Sequence, residues 1–334
     1  MPTFSVLDLS PIVAGSNPSS SFRNTLDLAR HAERWGYKRF WLAEHHGMAG
    51  IASAATAVVI GHVAAGTETI RVGAGGIMLP NHSPLVIAEQ FGTLEALFPG
   101  RIDLGLGRAP GSDQLTARAL RRTLTSDPDE FPQDIVELQT YFQDPPGLRV
   151  RAIPGAGANI PLWILGSSLY GAQVAAAFGL PYAFASHFAP AQMMQAIQLY
   201  RDAFRPSAQL DRPYVMLGFN IFAAETDEQA KLIATSMQQA FVNLRTGRPG
   251  QLPPPVPGYL DQLGTSERAL LSEVLSCSAI GSVATVREKV REFIQRTRAD
   301  ELIVACGVFD HEARLRSYEL AAEVRDSLMR SDSI

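Results

Sequence analysis

Residues 70–106 read IRVGAGGIMLPNHSPLVIAEQFGTLEALFPGRIDLGL, and this stretch decides the fold. Ile70 to Leu79 is an apolar run of strand length. Leu85 to Leu97 carries apolar residues at helical spacing and stops at the Phe98-Pro99-Gly100 turn, and Arg101 to Leu106 is a second apolar run. Strand, helix and strand in so short a span form a βα crossover and predict parallel pairing. The same rhythm extends upstream. Phe4 to Leu9 reads as a strand. Ser21 to Trp35 reads as a helix bearing Phe22, Leu26, Ala29 and Ala32, with Gly36 as its stop. Arg39 to Ala43 is the next strand and Ser53 to Ala65 the next helix. Downstream, strands are expected at Pro161–Leu165, Tyr182–Ser186, Tyr214–Phe222 and Leu302–Cys306. Helices are expected at Gln133–Phe142, Gly171–Phe178, Ala191–Phe204, from Thr226 to about Leu244, at Val283–Thr297 and at Glu312–Leu328. Eight strands and no break in composition predict an α/β fold, a single (β/α)8 TIM barrel over residues 1–334, with insertions at its C-terminal face.

Two segments fall outside that rhythm. Ala109 to Leu124 is polar and rich in arginine, which suits an insertion above the barrel mouth. Gly247 to Gly264 holds Pro249, Pro253, Pro254, Pro255 and Pro257 and is long for a connection, so it is a candidate lid as well as a candidate disordered loop. The small residues of Ser53–Ala65 suit close packing against another helix, in a homodimer interface for instance.

The 334 residues are 46% hydrophobic and 19% charged, with a net charge of -4. So mild a balance carries no electrostatic footprint for nucleic acid or for an anionic membrane, and leaves a small molecule as the expected partner. Cys277 and Cys306 make neither a disulfide framework nor a metal-ligand spacing. With no signal-like N-terminus and no long uncharged apolar stretch, the expectation is a cytoplasmic chain.

In such a barrel, reactive groups sit at the C-terminal ends of the strands. Polar residues gather there: Asp8-Leu9-Ser10-Pro11, Glu44-His45-His46, Asn81-His82-Ser83, Gly107-Arg108, Gly166-Ser167-Ser168 and His187. Three adjacent titratable groups at Glu44-His45-His46 are costly unless water or chemistry uses them, and one of the two histidines should face inward. The plain alternative is a salt bridge from Glu44 with both imidazoles bonded to backbone. Gly166-Ser167-Ser168 at a strand-to-helix junction can accept a phosphate or make an ordinary helix cap, and Arg108 would supply matching charge. Gly75-Gly76 inside an apolar strand marks a bulge or the close approach of a ligand.

Three pieces then carry a resemblance, in matching order and spacing: Phe40-Trp41-Leu42-Ala43-Glu44-His45-His46, Ile70 to Pro80, and Gly100 to Arg108. It continues through Leu162 to Ser168 and ends at Asp310 to Leu315. The chain resembles the bacterial luciferase-like, flavin-dependent monooxygenases over nearly its whole length. The resemblance implies reduced FMN as cofactor, dioxygen activated as a flavin C4a-hydroperoxide, and oxygenation of a small organic substrate. It places His45 as the catalytic histidine and a non-prolyl cis peptide at Gly75-Gly76. It places Arg108, Ser167 and Ser168 at the flavin phosphate, Leu165 and Gly166 along its approach, and Glu44 among the cofactor contacts. Gly107 replaces the cysteine that luciferases carry before this arginine, so light emission from an aldehyde is not implied. No Gly-x-Gly-x-x-Gly fingerprint follows the first strand, which points to a separate NAD(P)H:flavin reductase.

Other readings stay open at this level. Relatives on the same barrel use the deazaflavin F420 for reduction or dehydrogenation, and a flavin could bind without turnover. A metal-dependent hydrolase could assemble His45, His46, His82 and His187, although such barrels also place a His-x-His pair after the first strand.

Overall fold

The computed structural model describes residues 2–108, 116, 119, 120 and 130–331. Nine parallel strands alternate with helices: β1 (Thr3–Asp8), α1 (Pro18–Arg34), β2 (Arg39–Leu42), α2 (Thr56–Ala65), β3 (Arg71–Met78), α3 (Pro84–Leu97), β4 (Ile102–Gly107), α4 (Phe131–Gln143), β5 (Leu162–Gly166), α5 (Leu169–Phe178), β6 (Tyr182–Phe184), α6 (Met193–Ala203), β7 (Val215–Ala223), α7 (Asp227–Arg245), α8 (Thr265–Val274), β8 (Ser278–Gly281), α9 (Val283–Thr297), β9 (Glu301–Ala305) and α10 (His311–Ser331). Eight strands close into a ring in the order β1-β2-β3-β4-β5-β6-β7-β9, with β9 returning to β1. This is the (β/α)8 barrel that the crossover rhythm predicts.

The ninth strand lies outside that ring. β8 pairs only with the outer half of β7, Asn220–Ala223. Neither β8 nor α8 is expected from the sequence. Each is short, and α8 buries only Leu271 and Val274, so the hydrophobic period has too few repeats to read. The arginine-bearing segment Ala109–Leu124 lies outside the described residues apart from positions 116, 119 and 120.

Alternation along the strands sorts the interior. Phe4, Val6, Phe40, Leu42 and Val72 face the helices and form the main core, whereas Leu7, Trp41, Trp163, Met216 and Ile303 fill the barrel itself. Trp41 and Trp163 meet edge to face with centroids 5.0 Å apart. The N-terminal end of the barrel is closed by charge. Arg39 donates to Asp103 at 2.7 Å and to Glu301 at 2.8 Å, Arg71 donates to Asp103 at 2.6 Å, and Ser5 and Tyr214 donate to Glu301. Two guanidinium groups against two carboxylates leave no buried charge uncompensated. That plug leaves the C-terminal end for a ligand.

Among the described residues, no helix is long and apolar enough to cross a membrane. Both cysteines are buried and free.

Candidate active site

A cavity of about 780 Å³ opens at the C-terminal ends of the strands, within the ~300–1,000 Å³ range of small-molecule and cofactor sites. Its wall is mostly apolar, with Met48, Phe188, Met237, Phe241 and Leu252 among the lining residues. All the expected site residues, Glu44, His45, Gly75, Gly76, Arg108, Leu165, Gly166, Ser167 and Ser168, line this one space.

β2 ends just before the acidic and imidazole triplet, and its three side chains part company. Glu44, only 1% exposed, is the hub of a local network. His46 Nε2 donates to Oε1 at 2.7 Å, His82 Nε2 lies 2.9 Å from both oxygens, and the Met78 amide donates to Oε2 at 3.0 Å. Burial alone would raise the Glu44 carboxyl. The hydrogen bonds and charge from His82 and the bonds from His46 and Met78 outweigh it, so the group titrates below its ordinary value. Glu44 therefore consumes His46 and His82, and neither of those lines the cavity. His45 does. Its Nδ1 is sealed from water without a partner, and desolvation lowers its pKa, with opposing pull from Glu44 and a smaller push from His46.

Across the barrel mouth, after β6, His187 also lines the cavity. Desolvation and then the nearby His45 bring its pKa down to about 4. Both imidazoles are thus neutral near pH 7. The four-histidine set required by a metal site is divided, two rings turned to Glu44 and two to the cavity, and no group of three His, Cys, Asp or Glu suited to a metal occurs among the described residues.

The glycines of β3 and β4 make the inner wall. The Gly75–Gly76 peptide is cis, and the β3–β4 register shifts between Ala74 and Ile77, which is the bulge the sequence announces. A Cβ on Gly76 would sit 2.7 Å from the Gly105 carbonyl oxygen, and one on Gly75 would sit 3.0 Å from Trp41. Side chains are excluded there, which leaves bare backbone along the cavity.

The anion-binding expectation also has a physical basis. α5 starts after Ser168, whose side chain makes no cap bond, and its first turn carries no acidic residue. The leading N–H groups and the helix dipole are therefore available to a negative group. Arg108 stacks its guanidinium 4.1 Å from the Tyr170 ring centroid, on that same first turn, and among the described residues no carboxylate pairs with it. A second cation, Arg314, lines the cavity but is spent on Asp8 at 2.8 Å, a buried pair tying α10 to the end of β1.

The proline-rich segment is built into the wall. Leu252 exchanges backbone bonds with Ile12 and Ala14, at 2.9 and 2.8 Å, and Pro249, Gly250 and Leu252 line the cavity. Gln239 donates to the Pro254 carbonyl at 2.9 Å.

Sequence reasoning misses Asn220, Tyr170, Met237, Phe241 and Cys306, which also line the space. Asn220 leaves a signal: it is the one amide in an apolar strand, fully buried, and donates to the His187 carbonyl at 2.8 Å. The apolar residues of α7 leave none, because helical spacing does not distinguish a wall from a core.

A closed parallel barrel with an apolar cavity at its C-terminal face, lined by His45 after β2, His187 after β6 and the α5 N-terminus, has the architecture of a (β/α)8 protein with a small-molecule-sized site. Residues 3–301 match the family model for luciferase-like monooxygenases. A protein from Escherichia coli strain K12 described as a luciferase-like monooxygenase is 56% identical over 98% of both chains. The N-acetyl-S-alkylcysteine monooxygenase of Bacillus subtilis is 36% identical over 73% of this chain and 74% of its own. The crystal structure of apo-MsnO8 superposes with a TM-score of 0.87 at 34% identity, covering 98% of this chain and 99% of that one. The chain belongs to the luciferase-like monooxygenase family. The fold alone is shared with the oxygenating constituent of 3,6-diketocamphane monooxygenase from Pseudomonas putida in complex with FMN (TM-score 0.73, 18% identity, 96% and 97% covered), and with an F420-dependent secondary alcohol dehydrogenase (0.69, 12%, 96% and 98%).

Proposed function

We propose that this chain is a flavin-dependent monooxygenase that uses reduced FMN and dioxygen to oxygenate a small organic substrate. The observation that carries the reading is one continuous cavity joining Arg108, which has no carboxylate partner among the described residues, and the bare α5 N-terminus to a pair of neutral imidazoles, His45 and His187. The residues present fit FMN. Arg108, Ser167, Ser168 and the first α5 amides would hold the phosphate. Gly75 and Gly76 leave room along the wall for a flat ring, with Leu165 and Gly166 on the approach.

When bound and reduced, FMN supplies the electrons that let one oxygen atom enter the substrate while the other leaves as water. The chain's own residues do the rest. Glu44, locked by His46 and His82, fixes the loop after β2 so that His45 turns inward as the catalytic imidazole. His45, neutral at pH 7, can donate or take up a proton there. The Pro249–Leu252 stretch and Phe241 narrow the mouth and exclude water, which favours oxygen transfer over waste of the reduced cofactor. A separate NAD(P)H:flavin reductase, a homodimer joined through α2 (where Val58 is 73% exposed) and a cytoplasmic location belong to the same reading.

Fluorescence titration with FMN, riboflavin and F420 tests it. The reading expects FMN to bind at least ~10-fold more tightly than riboflavin, because only FMN engages the charge-assisted bonds of the anion site. Preference for F420 would move the chain to the deazaflavin-dependent oxidoreductases.

A further inference from the structure

His187 takes no part in the family reading above, yet it is built with as much care as His45. The two follow β2 and β6, strands diametrically opposed in the ring, and both line the same cavity. In each ring Nδ1 is the sealed atom, with no hydrogen-bond partner. At His187 it lies flat against β7: a Cβ on Gly218 would come within 2.0 Å of it. The peptide of His187 is pinned as well, since Asn220, itself fully buried, donates to its carbonyl at 2.8 Å, and the preceding Ser186 donates to the Gly218 carbonyl at 2.7 Å.

A neutral imidazole has one N–H and one lone pair. A proton on the sealed nitrogen would be a buried donor with nothing to receive it, the rarer and costlier defect. Placed on Nε2 instead, the proton meets whatever fills the cavity. The acids of the cavity do not alter this: Glu44 is committed to His46, His82 and Met78, and Asp8 to Arg314, Thr25 and the Ser10 amide. No free carboxylate therefore faces the pair among the described residues, and nothing there welcomes a cationic guest.

We propose that His187 and His45 form a two-imidazole donor site, each keeping Nδ1 bare against the barrel wall and turning Nε2–H inward, which receives the acceptor oxygen of a neutral, carbonyl-bearing substrate. The identity of the guest as substrate rests on the monooxygenase reading; the tautomers and the donor site do not. The remaining wall, Phe188, Met237, Phe241 and Leu252, suits an apolar body behind that oxygen.

The test is nitrogen NMR of protein carrying 15N-histidine, both flavin-free and saturated with FMN, with cyclohexanone as probe and methylcyclohexane as the same shape lacking an acceptor. His187→Gln and His45→Gln assign the rings. The expected result is a bare Nδ1 and a protonated Nε2 for both at pH 7. Cyclohexanone should shift both Nε2–H signals with one dissociation constant, and methylcyclohexane should shift neither. His187→Leu, which removes the donor, should weaken cyclohexanone roughly 3- to 10-fold, the loss of one neutral hydrogen bond, and leave the His45 tautomer unchanged. His187→Ala gives the same reading if the Leu variant folds poorly. A proton on Nδ1 of His187, a shift confined to His45, no shift at either ring, or unaltered cyclohexanone affinity in both variants overturns the proposal. Failure to bind FMN would overturn the cofactor reading alone, because the flavin-free protein reports the donor site by itself.

Discussion

Gly218 and His187 share one space: the position of a Cβ on Gly218 is 2.0 Å from the imidazole Nδ1. Any side chain on β7 at that point must expel the ring. Gly218→Ala is therefore expected to displace His187 and lower turnover at least ~10-fold, while costing about 1–3 kcal/mol of stability as an overpacking substitution. Steady-state kinetics and urea unfolding of the variant check both. A fully active Gly218→Ala protein would mean that the position of His187 is immaterial.

His187 also makes a pH prediction. Its pKa is about 4 when folded against about 6.5 when unfolded, so between those values the unfolded chain binds the extra proton. Its contribution is complete above pH 6.5 and is lost as pH falls toward 4. The folded carboxyl of Glu44 titrates below its ordinary value, so its contribution holds above that value and disappears as pH falls through the folded pKa. Unfolding free energies measured at pH 7, 5.5 and 4.5 should decline for the native chain. His187→Gln should decline less across the same window, and an identical slope would show that the ring titrates normally.

Much of this fold and site is legible in the amino-acid sequence. Seven of the eight ring strands, three to nine residues long, follow from apolar runs bounded by Gly, Pro or polar punctuation, and the eighth, β9, is equally plain at Leu302–Ala305. The polar residues at the strand ends converge because the barrel brings all C-terminal ends to one face. What could not be read is which imidazole is free. His82 is joined to Glu44 across 38 residues, a contact set by the β2–β3 register and the turn after β3, so sequence spacing could not separate His82 from His45. Ser278–Gly281 is only four residues long and alternates half-buried with buried positions, so it lacks the longer apolar run that marks most ring strands.

Glu44→Gln keeps the shape of the hub and removes its charge. The amide cannot accept from His46, His82 and the Met78 N–H as the carboxylate does, and the loop after β2 should loosen. We expect a loss of about 1–3 kcal/mol, measured by urea unfolding, together with a larger loss of turnover as His45 leaves the cavity. Stability equal to that of the native chain would remove Glu44 as the hub.

Arg108→Ala separates the two flavins. Loss of a charge-assisted pair should weaken FMN roughly 10- to 100-fold and leave riboflavin, which has no phosphate, nearly unchanged. Equal losses for both would place Arg108 beside the ring system, away from the phosphate.

The most direct measurement is anaerobic titration of the pure protein with reduced FMN and, separately, reduced F420, followed by rapid mixing with oxygenated buffer while absorbance and dissolved oxygen are recorded. Tight binding of reduced FMN, with oxygen consumed by the complex and the bound flavin reoxidised on a course distinct from that of free flavin, is the predicted result. Selective binding of F420 with no oxygen uptake would contradict it.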